Sequence, residues 1–253
     1  MIKRTITALA LIIVFATAFM IGNSALTFLI QGIILIAGYE VYTVKKDKWP
    51  FPILIMILVI LFSANFVAPN LVLPFLSIML ITTLFASIVS VKFSLEDALF
   101  VFFMLFVLSL ALMSIKEVMT FKLTVFAYII IATFVTDTFA YLGGSLFGKH
   151  KLIERISPNK TIEGAVIGYI ASVILSLVFA KFFVDLNLSI ILVSSFVIPI
   201  VSQIGDLTFS MVKRTYGIKD FGFILPGHGG VLDRIDSIVF SLLVFNVILT
   251  LLG

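Results

Sequence analysis

The chain has 253 residues, of which 62% are hydrophobic and 12% charged, with a net charge of +4 and no cysteine. An ordinary soluble domain carries ~25% charged residues, so this composition excludes a soluble globular fold and a disordered chain. The lack of cysteine excludes a disulfide scaffold and any cysteine-ligated metal or redox centre. What remains is an all-α polytopic membrane protein, whose surplus of Lys and Arg sets orientation and is not a nucleic-acid footprint.

Charge-free stretches define the predicted elements. Thr5 to Tyr39 and Trp49 to Val91 contain no charged residue. Each is too long for one helix across ~30 Å of hydrocarbon, which takes ~20 apolar residues. Gly22-Asn23-Ser24 breaks the first stretch and Ala68-Pro69-Asn70 the second. The predicted spans are 6–22, 24–44, 50–67, 71–91, 97–115, 122–147, 162–182, 187–212 and 234–252, about nine in all. The first run leads straight into another apolar run, so it reads as a retained span rather than a signal peptide. Residues 1–121 then form an N-terminal group of about five helices, a scaffold with possible dimer or lipid contacts. Residues 122–253 form a C-terminal catalytic region with cytoplasmic loops 148–161 and 213–233.

Basic residues orient these spans. With the N-terminus inside, the inner segments hold Lys3, Arg4, Lys45, Lys46, Lys48, Lys92, Lys149, Lys151, Arg155, Lys160, Lys213, Arg214, Lys219 and Arg234, 14 in all. The outer segments hold Lys116, Lys122 and Lys181, or 3. This asymmetry predicts an N-in, C-out arrangement.

Three polar places interrupt the apolar background. Asp137 lies deep in the sixth span. A carboxylate there costs at least ~2.5 kcal/mol on insertion scales and therefore faces a partner or a wet cavity. Next, Gly143 to His150 nearly spells a Walker A loop, but His150 stands where the hydroxyl residue should be and a membrane helix replaces the strand, so the phosphate-loop reading fails. The chain continues through Ser157-Pro158-Asn159-Lys160-Thr161-Ile162-Glu163-Gly164. Ser157 or Thr161 can cap the next span, with Glu163 in its first turn. A helix N-terminus beside Lys160 also suits an anion. Positive-inside anchoring explains the surrounding Lys and Arg equally well.

The third place runs from Gly205 to Asp236. Asp206 and Ser210 are spaced i,i+4, and Lys213 and Arg214 follow a turn later, so a continuing helix puts all four on one face. Asp233 and Asp236 open the last span, where negative charge suits the helix dipole. Separated carboxylates among Ser, Lys and Arg suit a hard cation bound to a phosphate. Zinc is disfavoured because His150 and His228 are the only histidines. Ser210 lacks the setting of a hydrolase nucleophile.

The segment Ser210 to Asp236 resembles the signature of phosphatidate cytidylyltransferases, also called CDP-diacylglycerol synthases. That pattern is Ser-x-x-Lys-Arg-x4-Lys-Asp-x-Gly-x2-Leu-Pro-x-His-Gly-Gly-x2-Asp-Arg-x-Asp, and every specified position is present. Ser157 to Gly164 and Asp137 to Gly144 also resemble this family, so the likeness covers roughly 130–253. Asn159 departs from it, standing where many members carry Lys.

The resemblance implies a magnesium-dependent enzyme that joins CTP to phosphatidic acid, giving CDP-diacylglycerol and pyrophosphate. It also implies a homodimer in the cell (inner) membrane with its active site facing the cytoplasm, and leaves room for a second, monovalent cation. On this reading Asp206 and Asp233 bind the metal, and Asp137 is a further cation ligand. Lys160, Lys213, Arg214 and Lys219 hold phosphates of CTP or lipid. His228 and the Gly229-Gly230 backbone touch phosphate. Asp236 orients Arg234 or metal-bound water, and Ser210 supports the metal region. Ser157, Thr161, Glu163 and Asp220 complete the substrate-binding set. The rival readings are a CDP-archaeol synthase-like enzyme, a CTP-dependent lipid kinase and, more remotely, a membrane transporter.

Overall fold

The computed structural model describes residues 2–227 and 229–253, apart from the side chains of residues 2–6, 8, 11 and 12. Among the described residues there are nine α-helices: α1 (Ile2–Ile21), α2 (Asn23–Thr43), α3 (Phe51–Ala64), α4 (Val72–Val89), α5 (Leu95–Val118), α6 (Leu123–Phe147), α7 (Ile162–Phe183), α8 (Leu188–Thr215) and α9 (Leu232–Leu252). Among the described residues, seven apolar segments are long enough to cross a membrane: Pro69–Val89, which contains α4, and the helices α2 and α5 to α9. The protein is therefore an all-α polytopic membrane protein. The third predicted span is shorter than expected, because α3 has only 14 residues. At 1.5 Å per residue such a helix reaches about 21 Å. Pro50 precedes it. Its other end is fixed by Lys116, whose Nζ donates to the Asn65 carbonyl at 2.6 Å, a cation at a helix C-terminus where it is favoured.

The chain divides into two compact units. The first comprises residues 1–116 and 220–234, and the second residues 117–219 and 235–253. The loop 220–231 thus groups with the N-terminal helices, although residues 117–219 of the second unit precede it in sequence.

In the first unit, α5 begins with a reciprocal capping box. Asp97 N donates to Ser94 Oγ at 3.2 Å, and Ser94 N donates to Asp97 Oδ2 at 3.2 Å. Two orphan amides of the helix start are satisfied in this way. The same Asp97 pairs with Lys45, in the turn after α2. Beside them Trp49 is buried edge-on against Phe93, with ring centroids 5.4 Å apart, and the Tyr42 hydroxyl donates to the Trp49 carbonyl at 3.1 Å.

The second unit is built on close contact between α6 and α7. A Cβ at Gly164 would lie 2.5 Å from the Ala140 carbonyl, and one at Gly168 would lie 2.5 Å from the Thr136 carbonyl. Small residues at such a seam let two backbones approach, which is how helices gain contact where lipid removes the hydrophobic drive. Three buried hydroxyls find partners inside the unit: Ser172 donates to the Ala132 carbonyl at 2.7 Å, Thr133 to Ser241 at 2.8 Å, and Tyr128 lies 2.6 Å from Ser195.

One feature departs from the all-helical expectation. Between α6 and α7 the chain forms a small antiparallel hairpin of β1 (Lys151–Ile153) and β2 (Ser157–Thr161), with Lys151 opposite Thr161 and Ile153 opposite Ser157. Ser157 lies in β2, and it is Thr161 that caps α7, its Oγ1 accepting from Gly164 N at 3.2 Å.

Candidate functional site

In the second unit α6, β1, β2, α7 and α8 meet around a cavity of about 450 Å³ lined by Asp137, Tyr141, Ser157, Lys160, Thr161 and Asp206, among others. Asp137 comes from α6, Lys160 from β2 and Asp206 from α8. Lys160 Nζ is bonded to Asp206 Oδ2, and both side chains are about a quarter exposed, at 29% and 26%. Ser210, one turn along α8, donates to Asp206 Oδ1 at 3.3 Å, as the i,i+4 spacing predicted.

Asp236 from α9 is buried and lies within electrostatic reach of Asp206, Asp137 and Lys213. Its Oδ1 accepts from Ser237 N at 2.8 Å, and the Ser237 side chain is also hydrogen-bonded to Asp137. Gly205 lets α8 and α9 close up here, because a Cβ would lie 2.8 Å from Phe240 Cβ and 3.0 Å from the Asp236 carbonyl. Three carboxylates, Asp137, Asp206 and Asp236, thus lie near two ammonium groups, Lys160 and Lys213.

Lys213 and Arg214 sit in the last turn of α8, where cations suit the dipole. The helix ends in a Schellman motif: Gly217 N donates to the Arg214 carbonyl at 3.1 Å and Ile218 N to the Lys213 carbonyl at 2.9 Å. Gly217 takes φ +66°, a conformation that glycine adopts without a Cβ clash. Lys213 is buried. Arg214 is turned back onto its own unit, with Nε donating to the Ile156 carbonyl and an Nη to the Ile218 carbonyl, both at 3.3 Å. Lys219 follows in the loop.

Glu163 serves the hairpin. It accepts from the backbone of Lys149 at 3.1 Å and of His150 at 3.2 Å, and lies 2.6 Å from His150 Nδ1. These bonds fix the turn that follows Gly148 and so aim β1 and β2.

In the first unit, Asp220, Gly229, Gly230, Asp233 and Arg234 lie along or beside one loop. Asp233 Oδ2 accepts from Phe221 N at 2.9 Å and from Gly230 N at 3.1 Å, which closes the loop on itself. Gly229, at φ +84°, pairs with Leu225. A Cβ on Gly229 would stand 3.4 Å from Asp220 Oδ1. His228 lies outside the described residues.

Residues 2–252 match the model of the cytidylyltransferase family. The chain belongs to this family. It is 37% identical over 255 residues to the phosphatidate cytidylyltransferase of Staphylococcus haemolyticus (strain JCSC1435), covering 97% of this chain and 98% of the relative. The enzymes of that name from Staphylococcus saprophyticus and Staphylococcus epidermidis are each 42% identical over 160 residues, covering 62% of this chain and 61% of the relative. The family likeness therefore extends over the N-terminal helices, beyond the 130–253 region whose motifs carried it in the sequence.

The cavity's donor set bears on whether a metal could be held there. All its candidate ligands are hard oxygens, and an ammonium group already occupies the Asp206 carboxylate, as a cation would. Among the described residues no three His, Cys, Asp or Glu side chains are grouped closely enough to hold an ion alone. That donor set fits magnesium, which keeps several waters and takes one or two carboxylates together with substrate phosphates.

Three residues escaped the sequence reading. Gln203 lines the cavity and donates to the Ala165 carbonyl at 3.3 Å and the Pro199 carbonyl at 3.1 Å. A polar residue one turn before Asp206 on an apolar helix was the available signal. Ser237 adjoins Asp236 in sequence. Glu40 is fully buried in α2. It ends a 35-residue charge-free run with no Lys or Arg three or four positions away.

Proposed function

We propose that the protein transfers the cytidylyl group of CTP to phosphatidic acid, forming CDP-diacylglycerol and releasing pyrophosphate. The observation that carries this reading is the near full-length relation to a phosphatidate cytidylyltransferase. A cavity that gathers carboxylate and ammonium groups supports it.

A phosphate oxygen of the lipid bonds to the α-phosphorus of CTP. The bond from that phosphorus to the bridging oxygen breaks, and pyrophosphate leaves with the electron pair. A phosphate monoester has a second pKa of ~6, so the nucleophile is largely ionised at neutral pH without a general base. The barrier is repulsion between two anions, and catalysis consists of positioning and charge neutralisation. Lys160, released from Asp206, supplies an ammonium group to a phosphate. Lys213, Arg214 and Lys219 are proposed as further phosphate partners, and Ser157 and Thr161 as polar walls for the nucleotide. Asp206 and Asp137 would hold magnesium, whose charge would offset that of the triphosphate. Asp233 is proposed as a ligand on the motif alone. Ser210 orients Asp206, and Asp236 is proposed to orient Arg234 or water.

The proposed orientation has nine passes with the N-terminus inside. It places both motif loops in the cytoplasm, where CTP is, and is supported by the 14 to 3 distribution of basic residues. A homodimer in the cell membrane is proposed from the family resemblance.

Purified protein supplied with labelled CTP, magnesium and phosphatidic acid is expected to form labelled CDP-diacylglycerol and pyrophosphate. Release of CDP with a phosphorylated lipid would replace this reading by a kinase. Phosphate transport in liposomes without any CDP-lipid would replace it by a transporter.

A further inference from the structure

We propose that Glu40 is a positioning residue for the reaction: its buried carboxylate is the peg around which the loop 221–232 closes. The proposal rests on the cytidylyltransferase reading for its catalytic consequence and on the first unit alone for its geometry. Glu40 is 0% exposed. A buried carboxylate is tolerated only when its oxygens are hydrogen-bonded. Here Oε1 accepts from Val231 N at 2.9 Å and Oε2 from Leu232 N at 2.7 Å. Leu232 begins α9, so Glu40 satisfies amides that the helix itself leaves unpaired, at the end where its dipole favours negative charge.

Two carboxylates thus divide three successive amides. Asp233 takes Gly230 N, and Glu40 takes Val231 N and Leu232 N. The last turn of α2 adds a further contact: Thr43 Oγ1 lies 3.3 Å from the Phe221 carbonyl.

The glycines of the loop fit this peg. A Cβ on Gly222 would lie 2.5 Å from Glu40 Oε1, 2.8 Å from its Cδ and 3.0 Å from its Cγ. A Cβ on Gly230 would lie 2.8 Å from Oε2. Neither glycine is among those with positive φ, which are Gly22, Gly217, Gly227 and Gly229. Space rather than backbone conformation therefore demands glycine at 222 and 230, and the side chain that takes the space is Glu40. Asp233 and Arg234, which the proposed function uses, begin directly after the amides that Glu40 holds.

The test uses the full-length purified protein and the variants Glu40→Ala, Glu40→Gln, Gly222→Ala and Glu40→Ala/Gly222→Ala, each assayed with CTP and phosphatidic acid. A misplacement of 1 Å can lower turnover by about 10²-fold, and that is the loss expected in kcat for Glu40→Ala. KM for CTP should stay within a factor of about three, because ground-state binding is not what is lost. Gly222→Ala alone should fall comparably. The double variant should be no worse than Glu40→Ala, since removing the carboxylate makes room for the methyl group.

Glu40→Gln keeps the shape but turns an NH2 toward a backbone donor, so amide hydrogen exchange at Val231 and Leu232 should accelerate while α8 stays protected. Turnover of Glu40→Ala within twofold of the parent, losses that multiply in the double variant, or unchanged exchange at 231–232 would each overturn the proposal. Should the parent protein form no CDP-lipid at all, the functional reading fails, and the exchange measurement still decides whether Glu40 is the peg.

Discussion

Asp206 in the second unit and Glu40 in the first are held in opposite ways. In the second unit Asp206 is bonded to a lysine ammonium and a serine hydroxyl at the wall of a cavity, and Asp137 and Asp236 add negative charge nearby. In the first unit Glu40 has both oxygens on backbone amides, Asp233 has Oδ2 on two more, and Asp97 closes a capping box and a lysine pair. A carboxylate held by side chains that can swing away can exchange them for a ligand. One held by main-chain amides can let go only if the fold opens. Residue type is thus a weaker guide to role than the kind of donor that each oxygen meets.

Substitutions can break that contrast. The largest effect is expected for Asp206→Asn, which keeps the size of the side chain but removes its charge. Loss of one partner of transition-state charge costs about 10²-fold or more, so CDP-lipid formation should drop by at least that much while the melting temperature barely changes. Full activity would refute a role for Asp206 at the reacting phosphates.

Asp97→Asn should do the reverse. Asparagine still caps α5, but the charged bond to Lys45 is lost, and charge-assisted bonds contribute about 1.5–3 kcal/mol. Unfolding should occur at a lower temperature, with turnover per folded molecule preserved. A fall in kcat without a fall in stability would erase the distinction between the units.

Ser210→Ala should give the smallest change. A neutral hydroxyl donor is worth about 1 kcal/mol, or roughly fivefold in rate. The slower enzyme should regain nothing on replacement by Val, which lacks the hydroxyl, and most of its activity on replacement by Thr.

Much of this was legible in the sequence for a physical reason. Charge is too costly in hydrocarbon to occur at random, so uninterrupted apolar runs marked the helices, and the predicted breaks at Gly22 and Ala68–Asn70 fall where helices end or begin. Asp206, Ser210 and Lys160 were legible because polar residues stood out against that background. The hairpin was not. Its strands are three and five residues long, Ser157–Thr161 is polar and contains Pro158, and only the pairing itself defines them. Glu40 was also missed, because its partners are backbone amides 191 and 192 residues away, which leave no mark in side-chain patterns. The same distance hid the grouping of 220–234 with the N-terminal helices.

That separation has a consequence in time. Chains are made from the N-terminus, and contacts between distant residues close late. The helix that carries Glu40 must enter the bilayer while the amides of Val231 and Leu232 do not yet exist, so during synthesis its carboxylate has to be kept at the water boundary or neutralised by a proton. Only when the ninth helix emerges can the acid be sealed inside. Synthesis must therefore pass residue 232 before the first unit is complete, and a polypeptide truncated before residue 231 should present to the cell's quality control an unshielded acid at the end of its second helix.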